Sequence, residues 1–135
     1  MNKHDFYVQE AIAEAKKSLM VQKHGCVIVH RTNTISRGHN SNDRHTYSKF
    51  SLHAEIAAIN NMSKQGIFVE NIVMYVVRID NNDLQKQNDM IQTKNSKPCA
   101  NCMNCITSHK VKKVYFSSDK NNGGGFSTPS HPLPR

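Results

Sequence analysis

Six consecutive apolar residues, Ile72-Val73-Met74-Tyr75-Val76-Val77, constrain the fold more than any other stretch of the chain. A strand with one wet face alternates apolar and polar residues, and this run does not alternate. A continuous run of this length is typical of a strand covered on both faces. It predicts a strand within Val69–Ile79, in a sheet with helices on either side.

The flanking patterns supply those helices. Val8, Ile12, Ala15 and Leu19 recur at helical spacing between Asp5 and Met20, with Asp5 placed to cap the start. Cys26-Val27-Ile28-Val29 and Thr34-Ile35-Ser36-Arg37 flank a turn-like Arg31–Thr34 and read as a hairpin ended by Gly38. Ser41 to Ser51 is polar and loop-like. A second helix runs from about His53 to Gln65, with Ile56, Ile59 and Met62 on one face and Gly66 after its end. Asp80 to Lys97, rich in Asn, Gln and Lys, reads as an insertion or a mobile lid. A short helix is expected to open at Pro98 and continue to about Lys110, followed by a strand over Val111–Ser117. The end, Asn121 to Arg135, has the Gly and Pro content of a tail. Helices alternating with strands imply an α/β domain with its sheet between helical layers. The expected organisation is one domain over residues 1–118, with a polar insertion at about 80–97, and a Gly/Pro-rich tail over 119–135.

At 135 residues a single domain is the prior, and such a domain buries roughly two thirds of its unfolded surface without staples. No stretch approaches the roughly 18 apolar residues of a membrane span. The polar start, Met1-Asn2-Lys3-His4-Asp5, argues against a secretory signal. A reducing, cytoplasmic setting is therefore expected. In that setting the run Cys99, Cys102, Cys105 reads more readily as a metal site than as a disulfide framework. The formal charge of +8 favours phosphate-bearing partners, although solubility alone could account for it.

Two short motifs carry the chemistry, His53-Ala54-Glu55 and Pro98-Cys99-Ala100-Asn101-Cys102, each following a loop and opening a helix. Cys99 and Cys102 are three apart and emerge on one side of a first turn, where the positive helix end is expected to ease thiol ionisation. His53 and Glu55 are two apart and do not share a helix flank. They serve one site only if their helix points at it end-on. Two helix ends aimed at one ion give the ligand set His53, Cys99 and Cys102, which suits Zn2+. Three protein ligands leave a fourth position for water, whose pKa zinc brings to about 7. Glu55 then stands beside the water as the catalytic proton carrier. Cys105 lies about 9 Å further along a helix than Cys99, and Cys26 sits in an apolar strand. Both read as core.

His-x-Glu followed by Pro-Cys-x-x-Cys is a known zinc deaminase signature. Over roughly Asp5 to Ser118 the sequence resembles the cytidine and deoxycytidylate deaminase family. Gly25-Cys26-Val27-Ile28-Val29 matches its first strand, and Gly38-His39-Asn40 the end of its second. The resemblance implies a cytidine deaminase-like fold, a three-layer α-β-α sandwich with a central mixed sheet. It implies that Glu55 shuttles protons, that the Ala54 and Cys99 amides polarise the site, and that Asn40 binds base or sugar. His39 or Arg44 adds a contact on the same view. The stretch between His53 and Cys99 is long for this family. The short tail leaves the fifth strand open, with Phe126 either folded over the substrate or part of a loose end.

The expected function is zinc-dependent hydrolytic deamination of a free cytosine nucleoside or nucleotide, by a homo-oligomer, with no membrane partner. The chain's small size favours a free substrate, and the basic loop Arg44 to Lys49 a phosphorylated one. A tRNA or single-stranded DNA base, or guanine, is the alternative within the same chemistry. A non-catalytic zinc module that binds nucleic acid is the alternative outside it, and it needs Cys105 or Cys26 as a fourth ligand.

Overall fold

The computed structural model describes residues 3–42, 51–118 and 126–127. Helix α1 (Lys3–Ala15) leads into strands β1 (Gln22–His30) and β2 (Asn33–His39). Two-residue strands β3 (Ser41–Asn42) and β4 (Ser51–Leu52) pair with each other ahead of helix α2 (Ala54–Lys64). Strand β5 (Ile72–Asp80), helix α3 (Ala100–Ser108), strand β6 (Val111–Ser117) and strand β7 (Phe126–Ser127) follow. The main sheet runs β2-β1-β5-β6-β7. Its β5–β6 pair is parallel and its other pairs are antiparallel, so the sheet is mixed.

The apolar run does what its lack of alternation predicts. Ile72, Met74 and Val76 of β5 join a buried cluster with Cys26, Ile28, Ala58, Ile59 and Ile106 on the α2 and α3 side. Tyr75, Val77 and Ile79 join Val27, Val29, Tyr7, Ala11 and Ile12 on the α1 side. The domain is the expected three-layer α-β-α sandwich. Two glycines set the layer spacing. A Cβ on Gly25 would lie 2.1 Å from the Ala11 carbonyl oxygen of α1, and one on Gly38 would lie 2.4 Å from the Ala58 nitrogen of α2. Each helix therefore rests directly on strand backbone.

Four expectations change. Helix α1 ends at Ala15, not Met20, because the chain must turn to enter β1. Its last amides tighten to three-residue bonds, Lys17 to Glu14 and Ser18 to Ala15. Leu19, counted on the helical stripe, is 98% exposed. Pro98 does not open α3. It is buried just before Cys99, whose extended backbone caps the helix. The polar 80–97 segment is a docked strap. Ile91 enters the α1-side core, Asp83 is buried against Lys86 at 2.8 Å, and Lys94 pairs with Arg78. Ser96 Oγ donates to the Val76 carbonyl and accepts from the Ser117 amide, both at 2.8 Å. Finally, Phe126–Ser127 of the expected tail pairs with the end of β6. The basic loop Arg44 to Lys49 lies outside the described residues. Among the described residues no helix is long and apolar enough to cross a membrane.

Candidate metal centre and active-site pocket

His53 is the N-cap residue of α2 and Cys99 the N-cap residue of α3. Both have extended backbone and neither uses its side chain as a cap. Their carbonyls take the first helical bonds, from Ala57 and Met103, each at 2.9 Å. The side chains are thus free to point forward from the helix ends. His53 Nδ1 lies 2.9 Å from Cys102 Sγ and 3.8 Å from Cys99 Sγ. The ligand atoms of all three residues lie within 4.8 Å of one another. Tetrahedral zinc with ordinary Zn–S and Zn–N bonds spaces its ligand atoms by roughly 3.5–3.8 Å. One imidazole and two sulfurs at this separation fit that ion, with the His53–Cys102 pair opening slightly around it.

Glu55 is one residue into α2 and 4% exposed. Burial pushes its carboxyl above the usual range, against the lowering pull of its own backbone N–H, His53 and a hydrogen bond with Cys102. Burial likewise pushes the Cys102 thiol well up, and the neighbouring Glu55 and Cys99 add to it. This corrects the expectation that the helix end eases ionisation of both thiols. At Cys102 exclusion of water dominates, so metal binding there must release a proton.

A cavity of about 250 Å³ opens beside the triad. His53, Ala54, Glu55 and Cys99 line it next to the metal group. Gln22, His24 and Asn40 line one side, and Met20, Ser96 and Lys97 complete it. It lies beyond the carboxyl end of β5, where ligand crevices of α/β sheets form. Asn40 reaches it, and its amide also braces the wall. Its Oδ1 accepts the His24 N–H at 2.9 Å and its Nδ2 donates to the Gln22 carbonyl at 2.7 Å. His39 is not in the pocket. Its Nδ1 lies 3.1 Å from Glu14 of α1. Arg44 lies outside the described residues. Cys26 is buried in the core, and Cys105 is half-buried with its sulfur 3.8 Å from His109. Neither belongs to the metal group.

Sequence reasoning missed Met20, Gln22, His24, Ser96 and Lys97. His24 has no partner at metal-ligand spacing in the sequence. The hairpin carried the signal, because pairing Gly25 with His39 places Asn40 beside His24. Burial, helped by Arg78 and His53, lowers the His24 pKa to about 4, so the pocket wall carries a neutral imidazole.

A family model for the cytidine and deoxycytidylate deaminase zinc-binding region matches residues 1–118. The chain belongs to this family. Among the chain's relatives, a tRNA-specific adenosine deaminase of Streptococcus pyogenes (serotype M18, strain MGAS8232) is 40% identical over 62 residues. That match covers 44% of this chain and 38% of the relative, so the chain aligns with well under half of that protein. The fold is similar to the apo dCMP deaminase of cyanophage S-TIM5, with TM-score 0.63 and 20% identity over 90% of this chain and 88% of that one. It is also similar to the cytidine deaminase of Mycobacterium leprae, with TM-score 0.62 and 18% identity over 95% and 94% of the two chains. At these identities the two structures speak to fold. The family is a zinc-binding one, and the His53, Cys99, Cys102 group supplies the donors such an ion needs.

Proposed function

We propose that this protein hydrolytically deaminates a cytosine nucleoside or nucleotide, with His53, Cys99 and Cys102 as zinc ligands and Glu55 as the catalytic proton carrier. The observation that carries the reading is one constellation: three convergent metal donors and a buried carboxyl beside a small cavity. Bound zinc supplies Lewis-acid activation of the attacking solvent. Glu55 does the rest of the proton work. Its raised pKa suits a group that takes a proton from water and returns it. Water adds to the ring carbon bearing the amine, and Glu55 delivers the proton to the adjacent ring nitrogen. The amine leaves as ammonia with a second proton passed by the same carboxyl, and a carbonyl remains. Ala54, fully buried at the start of α2, lines the cavity, where its amide polarises the bound base. Asn40 has a second Oδ1 lone pair for base or sugar.

The cavity is smaller than most drug-sized pockets, which supports one base with its sugar as the occupant. Lys97, exposed on its lining, suits a substrate phosphate. A second reading, a base presented by RNA, draws on the 40% identical segment and the net charge of +8. Ammonia release from cytidine, dCMP, guanine and an adenosine-bearing RNA separates these readings, and no turnover of any cytosine compound by zinc-loaded protein rejects the first. Glu55→Ala is expected to keep one zinc per chain and lose roughly 10²–10⁴-fold in kcat. A non-catalytic zinc module would lose nothing.

A further inference from the structure

Lys23 stands out from the other lysines among the described residues because it is 3% exposed. Burying an ammonium is costly unless other groups replace its water. Among the described residues no carboxylate lies within ion-pair distance of it. Its Nζ donates instead to the Ser18 carbonyl at 2.5 Å and the Met20 carbonyl at 2.8 Å. Both carbonyls lie just past the end of α1, where the helix dipole favours a cation.

The segment so held has little else to order it. Leu19 is 98% exposed and Val21 73% exposed, so neither anchors it by burial. Ser18 is buried, and its Oγ accepts the Met20 amide at 3.2 Å. Met20, between the two exposed residues, lines the cavity. Lys23 alternates along β1 with Gln22 and His24, which also line the cavity. Its own side chain therefore leaves the opposite face of the sheet.

We propose that Lys23 is a positioning residue for the substrate pocket: from behind the sheet it pins the Ser18–Met20 turn so that Met20 forms a fixed wall. The inference rests on the deaminase reading of that pocket. Met20 lines the cavity but its thioether is neither one of the grouped metal donors nor a proton carrier, so the pin acts on substrate binding and not on proton transfer.

Lys23→Met keeps the stem and removes the donors. With whichever nucleobase compound the wild type turns over, KM is expected to rise about tenfold with kcat within about twofold. Zinc content stays at one per chain. Met20→Ala raises KM by a similar factor, and the double variant is no worse than the worse single one. Hydrogen exchange at the Met20 amide speeds up in Lys23→Met. Should that variant fail to fold, Lys23→Gln, which keeps one donor group, is expected to give an intermediate KM. A lower melting temperature with unchanged KM, or additive effects in the double variant, overturns the pin while leaving the deaminase reading intact. A zinc-loaded wild type without turnover of any nucleobase compound overturns both.

Discussion

The two faces of the sheet are built from the same strands and differ in which helix ends they bring forward. On one face α1 reaches the pocket end of the sheet with its C-terminus, and the cation Lys23 meets the carbonyls just beyond it. On the other, α2 and α3 arrive N-terminus first and meet the pocket with His53, Glu55 and Cys99, with Cys102 just behind in the metal group. Both apolar clusters are equally dry in their centres. The donors gather where helix N-termini come forward, although the two faces are equally well packed. A helix N-terminus offers positive partial charge to thiolates and a carboxylate, and a C-terminus offers the reverse.

Three perturbations break this contrast to decreasing degrees. Cys102→Ala removes a buried donor from the α3 side and is expected to weaken zinc binding by more than the roughly 10–100-fold that loss of an outer-shell partner costs. Competition with a chromophoric chelator measures it, and unchanged affinity would remove Cys102 from the ligand set. Next come the two glycines. Gly25→Ala and Gly38→Ala each drive a Cβ into helix backbone, and each is expected to cost about 1–3 kcal/mol in urea unfolding. Only Gly38→Ala displaces α2, so it alone should also weaken zinc. Equal zinc loss in both variants would mean that the faces are not independent.

The smallest effect belongs to His24. Its folded pKa of about 4 lies below the ordinary 6.5, so the unfolded chain binds the proton more readily. The stability it confers is complete above about pH 6.5 and is lost as pH falls toward 4. Partial exposure to the cavity brings the loss to about 1–2 kcal/mol. His24→Gln should flatten that part of the stability–pH curve, and an unchanged curve would show that the imidazole is not held neutral.

Much of this was legible in the sequence because it is local or periodic. The absence of alternation in Ile72–Val77 already required two helical layers. The three donors followed from His53 and the Cys99–Cys102 spacing, since each motif opens a helix and a helix end has a direction. Other features depend on contacts that spacing does not encode. The pocket wall brings Met20, Asn40 and Ser96 together from three separate segments. The 80–97 strap is polar in composition, yet its docking rests on a few buried residues, Asp83, Ile91, Thr93 and Ser96. Cys102 shows a limit of a different kind. Spacing placed its sulfur on the correct side of α3, but the sign of its pKa shift depended on how much water its neighbours exclude.

The strap also divides the chain into a part free to vary and a part that is not. Its return leg is fastened at Lys94 to Arg78 and at Ser96 to Val76 and Ser117, immediately upstream of Cys99. Additions at the exposed residues 84–87, past the buried Asp83, fall before those fastenings and are expected to leave the Cys99 and Cys102 sulfurs in place. A peptide tag spliced there should therefore be carried with the His53, Cys99 and Cys102 group intact, as zinc titration of the tagged protein would show.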